Sequence, residues 1–239
     1  MSDSKYSRLE DFVAYIRSRA QAEIDAHIGT DRSPTWDDFA KLPYINCIIK
    51  EGHRWRPVSP LGVPHAVAEG SSGHPKGKAW TVTNLHFLDD YINGMLIPKG
   101  STIILNVWGM HHDETRWIRP EDFEPDRFSE HVALAPTYAA SGEWEKRDHY
   151  GYGAGRRICP GIHLAERNLF IAVAKLIWAF EFTQPIGSES DTNPESGASQ
   201  GFLHCPKDYG LSIRLRSPER GETIRKEYEQ AQSVFARFD

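Results

Sequence analysis

The stretch YGYGAGRRICPG, Tyr150 to Gly161, runs directly into the apolar segment IHLAERNLFIAVAKLIWAF. No other part of the chain restricts its folding as tightly. Glycines at 151, 153 and 155 open backbone conformations closed to other residues and let the loop approach a flat or bulky ligand closely. The segment from Pro160 to Phe180 is predicted to be the longest helix, with proline near its first position, where a missing N–H matters least. Cys159 therefore precedes a helix whose free N–H groups and positive dipole end favour a thiolate. Arg156 and Arg157 are placed to pair with carboxylates on the same ligand. No second Cys or His stands at zinc spacing, which argues against a four-ligand structural zinc site. A single thiolate suits a planar metal macrocycle that brings its other donors, and haem iron is such a case. The plainer reading of a free cysteine is a small buried hydrophobe. That reading is preferable for an isolated residue, but it leaves the joint spacing Gly-x-Gly-x-Arg-x-Cys-x-Gly unexplained.

Bulk properties exclude several other classes. The chain has 239 residues, 39% hydrophobic and 26% charged, values of a soluble globular protein with one large domain or two small ones. A net charge of −5 with scattered Lys and Arg gives no nucleic-acid footprint. Three cysteines, Cys47, Cys159 and Cys205, are far apart and odd in number, which fits a reducing compartment better than a disulfide framework. The opening MSDSKYSRLEDF is polar and offers no apolar segment of signal-peptide or membrane-span length.

Periodicity gives the remaining elements. Leu9, Phe12, Val13, Ile16, Ala20 and Ile24 recur at helical spacing, with Gly29 as a stop. A second helix is expected around YINCIIKEGHRW, where Ile45, Ile48 and Ile49 share a face. Pro57, Pro60 and Pro64 break the chain and leave LGVPHAV as a short extended segment. Asn93-Gly94 inside YINGML is the strongest short hairpin signal, and PKG makes another turn. STIILNVW reads as a buried strand, and residues 113 to 150 as a Pro- and Trp-rich run with few regular elements. A polar loop, a strand LSIRLR and a charged C-terminal helix complete the chain.

The cysteine loop resembles the haem-binding signature of the cytochrome P450 monooxygenases, Phe-Gly-x-Gly-x-Arg-x-Cys-x-Gly. This chain supplies Tyr152, Gly153, Ala154, Gly155, Arg156, Arg157, Ile158, Cys159, Pro160 and Gly161, departing only in Tyr152 for Phe. Tyrosine keeps a ring near the sulfur, but its hydroxyl needs a partner. KEGHRW carries Glu51 and Arg54, which resemble the family's E-x-x-R pair, and RPEDFEPDRF is similar to its F-x-P-x-R-F stretch. The resemblance implies that Arg127 completes a structural network with Glu51 and Arg54 beneath the cysteine loop. Without it, a pair three apart on a helix is a surface ion pair worth about 0.2–0.5 kcal/mol. PLGVPHAV resembles the strand after the E-x-x-R helix, so His65 takes the position that contacts a haem propionate. GFLHCPKDYGLSI resembles the hairpin lining the substrate pocket.

The same resemblance implies a fold class that is mainly α with small β-hairpins, the C-terminal haem-binding half of the family's fold. It assigns residues 8–56 to helices J and K, 57–107 to the β-hairpin region, and 108–150 to the meander. Residues 151–182 are then the haem-binding loop and helix L, and 183–239 a hairpin and tail. The implied cofactor-binding residues are Cys159, Arg157, His65, Tyr152 and Gly155, with Cys159 as axial ligand of haem iron. The implied reaction is insertion of one oxygen atom from O2 into an apolar small-molecule substrate, in secondary metabolism, with electrons from NADPH through a separate flavoprotein reductase. Full-length eukaryotic relatives are anchored in the endoplasmic reticulum with the catalytic domain in the cytosol. The central helix with its acid–Thr pair has no counterpart here, so the chain by itself is expected to be inactive; the alternative is a non-catalytic remnant that binds haem or a partner. Residues 70–88 interrupt what otherwise reads PHAVAEDDYINGMLIPKG. They are an intron retained in frame, expected to pack poorly, or a long loop over the haem edge.

Overall fold

The computed structural model describes residues 9–66, 90–185, 191–199 and 201–237. The interruption at 70–88 lies outside them. Helix α1, Leu9–His27, stops where Gly29 turns to φ +71°. Along it Ile16, Ala20 and Ile24 fall on one face, and Ile28 follows, all buried. They meet Leu42, Ile45 of helix α2 (Pro43–Trp55), and Phe170, Ala174 and Trp178 of helix α5 (Ile162–Ala179). The indole N–H of Trp178 donates to Gly29 O at 2.8 Å, so the largest buried side chain keeps its polar atom satisfied. A 3-10 turn at Trp36–Lys41, not anticipated from the sequence, adds Trp36 and Phe39 edge-on to Phe170. Its short amphipathic segment falls below the length at which helical periodicity is readable.

Among the described residues, three two-stranded antiparallel sheets flank this helical core: β1 (His65–Ala66) with β4 (Thr102–Ile103), β2 (Asp90–Ile92) with β3 (Met95–Ile97), and β5 (Phe180–Thr183) with β6 (Ser212–Leu215). Asn93 and Gly94 turn the second hairpin at φ +50° and +80°, the left-handed pair its sequence requires. STIILNVW is not a buried strand. Only two residues pair, both partly or fully exposed, because Asn106 accepts the Gly109 N–H at 2.9 Å and starts helix α3, Val107–His111. The helix expected from Pro160 begins at Ile162, since Cys159 to Gly161 form a turn, and at 18 residues it is shorter than the 19 of α1. Within residues 113–150 the regular pieces are 3-10 turns at Pro125–Phe128 and Trp144–Lys146 and helix α4, Ala135–Ala140. Helix α6, Pro218–Phe235, is fixed to α1 by Arg220, and the end of β6 by Arg216; both grip Asp25 at 2.6 Å. The fold is mainly helical with small hairpins, as its sequence implies.

Candidate functional site

Helix α2 supplies the base of the site. Its Glu51 and Arg54 face each other with side chains fully excluded from solvent. Arg54 Nε donates to Glu51 Oε2 at 2.7 Å and Nη2 to Oε1 at 2.8 Å. The remaining guanidinium hydrogens go to the carbonyls of His111, Pro120 and Asp122 at 2.8–3.0 Å. Glu51 also accepts the Glu124 N–H at 2.7 Å, and Arg127 Nε stands 3.4 Å away, an ion-pair distance rather than a well-formed hydrogen bond. Burial raises the Glu51 carboxyl above its ordinary range, while Arg54, the Glu124 N–H and Arg127 pull toward the carboxylate. Arg127 spends its other donors on the carbonyls of Ile118 and Arg119. Glu51, Arg54 and Arg127 therefore meet, and what they hold is mainly the backbone of residues 111–124.

A second buried group, with no motif to mark it in the sequence, holds the chain from Ala133 to Asp148 that leads into the cysteine loop. Lys50 Nζ bonds Asp148 Oδ2 at 3.0 Å and Ala133 O at 2.7 Å, and Glu166 of α5 accepts the Ala135 N–H at 2.7 Å. Arg147 donates to His149 O and Gly153 O, bracing the glycine-rich turn. Three imidazoles then receive successive residues of the loop. His111 Nε2 accepts the Tyr150 N–H at 2.7 Å and His149 Nδ1 the Gly151 N–H at 3.2 Å; the Tyr152 hydroxyl lies 3.3 Å from His53 Nε2. Burial keeps these rings neutral, lowering His53 to about 4, His111 to about 3, and His149 well below its ordinary value. Isolated histidines scattered over three segments carry no shared spacing, which hides such a set from sequence inspection.

The loop itself places Cys159 half-buried, three residues ahead of α5, with its N–H donated to Tyr152 O at 2.9 Å. Gly153 and Gly155 sit at φ +78° and +67°, and a Cβ at either would meet nothing within 4 Å, so that strip of the loop is open. Arg156 and Arg157 are exposed in the turn Gly155–Arg157. His65 is half-buried at the start of β1, opposite Ile103. Among the described residues no three His, Cys, Asp or Glu side chains gather as a metal site. Of the other cysteines, Cys47 is buried in the core, which pushes its thiol up to about 11, and Cys205 is exposed near the isolated bridge of Ala198 with Pro206. An accessible thiol beside an open glycine strip, with arginines at hand, fits a flat macrocycle held by one sulfur and contacted on its carboxylates.

Comparison with protein families matches residues 15–213 to the family described as Cytochrome P450. The chain belongs to that family. Cytochrome P450s are haem-thiolate proteins, and haem is their cofactor. Among curated relatives, Cytochrome P450 monooxygenase patI of Aspergillus clavatus is 68% identical over 224 residues, covering 94% of this chain and 39% of the relative. Cytochrome P450 monooxygenase acuD of Aspergillus aculeatus matches at the same 68% and the same coverage. The chain thus spans about two-fifths of the length of these relatives. Among solved structures, a zebra fish cytochrome P450 with progesterone superposes at a TM-score of 0.64 and 28% identity, over 84% of this chain and 39% of that one. No helix among the described residues is long and apolar enough to cross a membrane.

Proposed function

We propose that this chain is the haem-binding part of a haem-thiolate monooxygenase, with Cys159 as the iron ligand. The observation that carries it is the setting of Cys159: a half-buried thiol ahead of α5, beside glycines that leave one face open, while Cys47 is sealed in the core. Bound there, haem supplies the oxygen chemistry that inserts one atom of O2 into an apolar small molecule, with electrons from NADPH through a separate flavoprotein reductase. Cys159 holds the metal; Arg157 and His65 meet its carboxylates; Glu51, Arg54 and Arg127 keep the supporting backbone in place. Val58, Leu61 and Val63 stand exposed after α2, and Phe202 and Leu203 stand exposed near them, joined by the His204 N–H donated to Val58 O at 2.8 Å. These five side chains form one side of an apolar substrate site. A role in secondary metabolism accords with relatives that are fungal monooxygenases.

Because the chain covers about two-fifths of those relatives, turnover requires residues that they carry outside the matched region. The exposed apolar side chains favour, as a second reading, a fragment that binds haem or a partner without turnover. Haem titration tests the ligand: the parent is expected to give a thiolate-ligated spectrum, and Cys159→Ala to lose it entirely. Persistence of that spectrum in Cys159→Ala, with Cys47 or Cys205 required instead, overturns the assignment. Assaying the chain with haem, reductase and NADPH over apolar substrates separates the two readings: coupled product by the chain alone contradicts the need for further residues. Failure of a full-length form to turn over favours the binding fragment.

A further inference from the structure

We propose that His53 is a positioning residue for the Cys159 thiol, acting through the Tyr152 hydroxyl. The inference rests on the reading of Cys159 as haem ligand. Tyr152 stands between Gly151 and Gly153, whose own bonds to His149, Tyr150 O and Arg147 hold the flanking peptides but not the Tyr152 side chain, and Gly153 is in the left-handed region at φ +78°. Yet Tyr152 O is the acceptor for the Cys159 N–H at 2.9 Å. Wherever residue 152 settles, the cysteine backbone follows.

The side chain of Tyr152 adds a restraint of its own. Its hydroxyl is 3.3 Å from His53 Nε2, and its ring lies tilted at 5.0 Å from the His53 ring and 5.5 Å from that of His149. The two imidazoles stack at 4.7 Å with 17° between their planes, which fixes the orientation of the acceptor. Burial raises the phenol above its ordinary range and lowers His53, so both stay neutral, and the phenol donates to Nε2 in the tautomer whose proton sits on Nδ1. His53 sits between Glu51 and Arg54, on the helix that carries the fully buried ion pair. A single hydrogen bond thereby ties the ligand loop to the helix that the Glu51–Arg54 pair immobilises. Phenylalanine at 152 would leave packing alone to do this.

The test is a double-mutant cycle on the whole chain, read by amide exchange without haem and by the absorption band with haem added. Tyr152→Phe and His53→Phe are each expected to speed exchange at the Cys159 N–H by about 2–10-fold, the range of one net hydrogen bond, with the Ile24 amide unchanged. The double variant should be no faster than either single one, and His53→Gln, which keeps an acceptor, should stay within about twofold of the parent. With haem, both single variants should shift the thiolate band at undiminished haem content, an effect that general loosening of the fold would not produce. Unchanged exchange at Cys159 in Tyr152→Phe overturns the proposal. So does exchange that rises equally at Ile24, or single effects that multiply in the double variant. The exchange cycle involves no haem, so it stands or falls independently of the Cys159→Ala spectrum.

Discussion

Replacing Arg54 with alanine is expected to destabilise the fold by about 3–5 kcal/mol, the usual cost of removing one partner from a buried ion pair. Every N–H of this guanidinium is committed, two to Glu51 and three to the carbonyls of His111, Pro120 and Asp122. Alanine leaves the carbonyls of His111 and Pro120 unpaired and takes from Glu51, at a position with no solvent access, its bidentate partner, leaving only the Glu124 N–H and the longer contact with Arg127. Domains of ordinary stability have only about 5–15 kcal/mol in total, so the variant should be close to unfolding at room temperature. Haem uptake should fail with folding rather than after it. Arg127→Ala should cost less, because that side chain keeps 11% exposure and its contact with Glu51 is 3.4 Å long. Urea unfolding followed by circular dichroism measures both. An Arg54→Ala midpoint equal to the parent's would rule out a stabilising role for the network.

Acidification from pH 7 to pH 5 is expected to remove about 2–4 kcal/mol of stability. His111 and His149 are buried and neutral in the folded chain, with His111 lowered to about 3 and His149 also far below its usual range. Unfolded histidine titrates near 6.5, so below that pH the unfolded chain binds protons that the native chain refuses. Each such residue contributes stability that is complete above about pH 6.5 and lost as the pH falls toward its folded value, at about 1.4 kcal/mol per pH unit. Two residues give the upper figure. His53, lowered to about 4, adds less because part of its residue surface remains open. The carboxyls of Glu23 and Glu166, raised by burial, act in the opposite direction and trim the total. Urea midpoints at the two pH values decide the matter, and equal midpoints would show that the histidines are not held neutral.

Much of the fold was readable because some residues have a single structural use. The four-residue repeat of Ile16, Ala20 and Ile24 has no meaning except a buried helix face, and Asn93-Gly94 none except a left-handed turn. The E-x-x-R spacing placed Glu51 and Arg54 on one side of α2 whatever surrounded them. Elements decided by a competing local bond are not legible in periodicity. Asn106 captured the Gly109 N–H and turned an apolar run into a helix start, and the turn at Cys159 delayed α5 by two residues. The imidazole set was invisible for a different reason: His53, His111 and His149 come from three segments, and only the tertiary fold brings them to adjacent residues of one loop.

The two arginines beneath the site grip main-chain oxygens, and every residue type carries the same oxygen there. The backbone from His111 to Asp122 is held by acceptors at 111, 118, 119, 120 and 122, with no side chain of that stretch taking part in the Arg54 and Arg127 bonds. Its shape is consequently independent of much of its own spelling. Substitutions at exposed positions such as Glu114, Ile118 and Glu121 are expected to leave the path of the chain unchanged. Arg119, at φ +49°, is the place where the grip imposes a left-handed backbone, and there glycine or asparagine would sit more easily than arginine does. A surface with that freedom can change its charge while the cysteine loop stays in register.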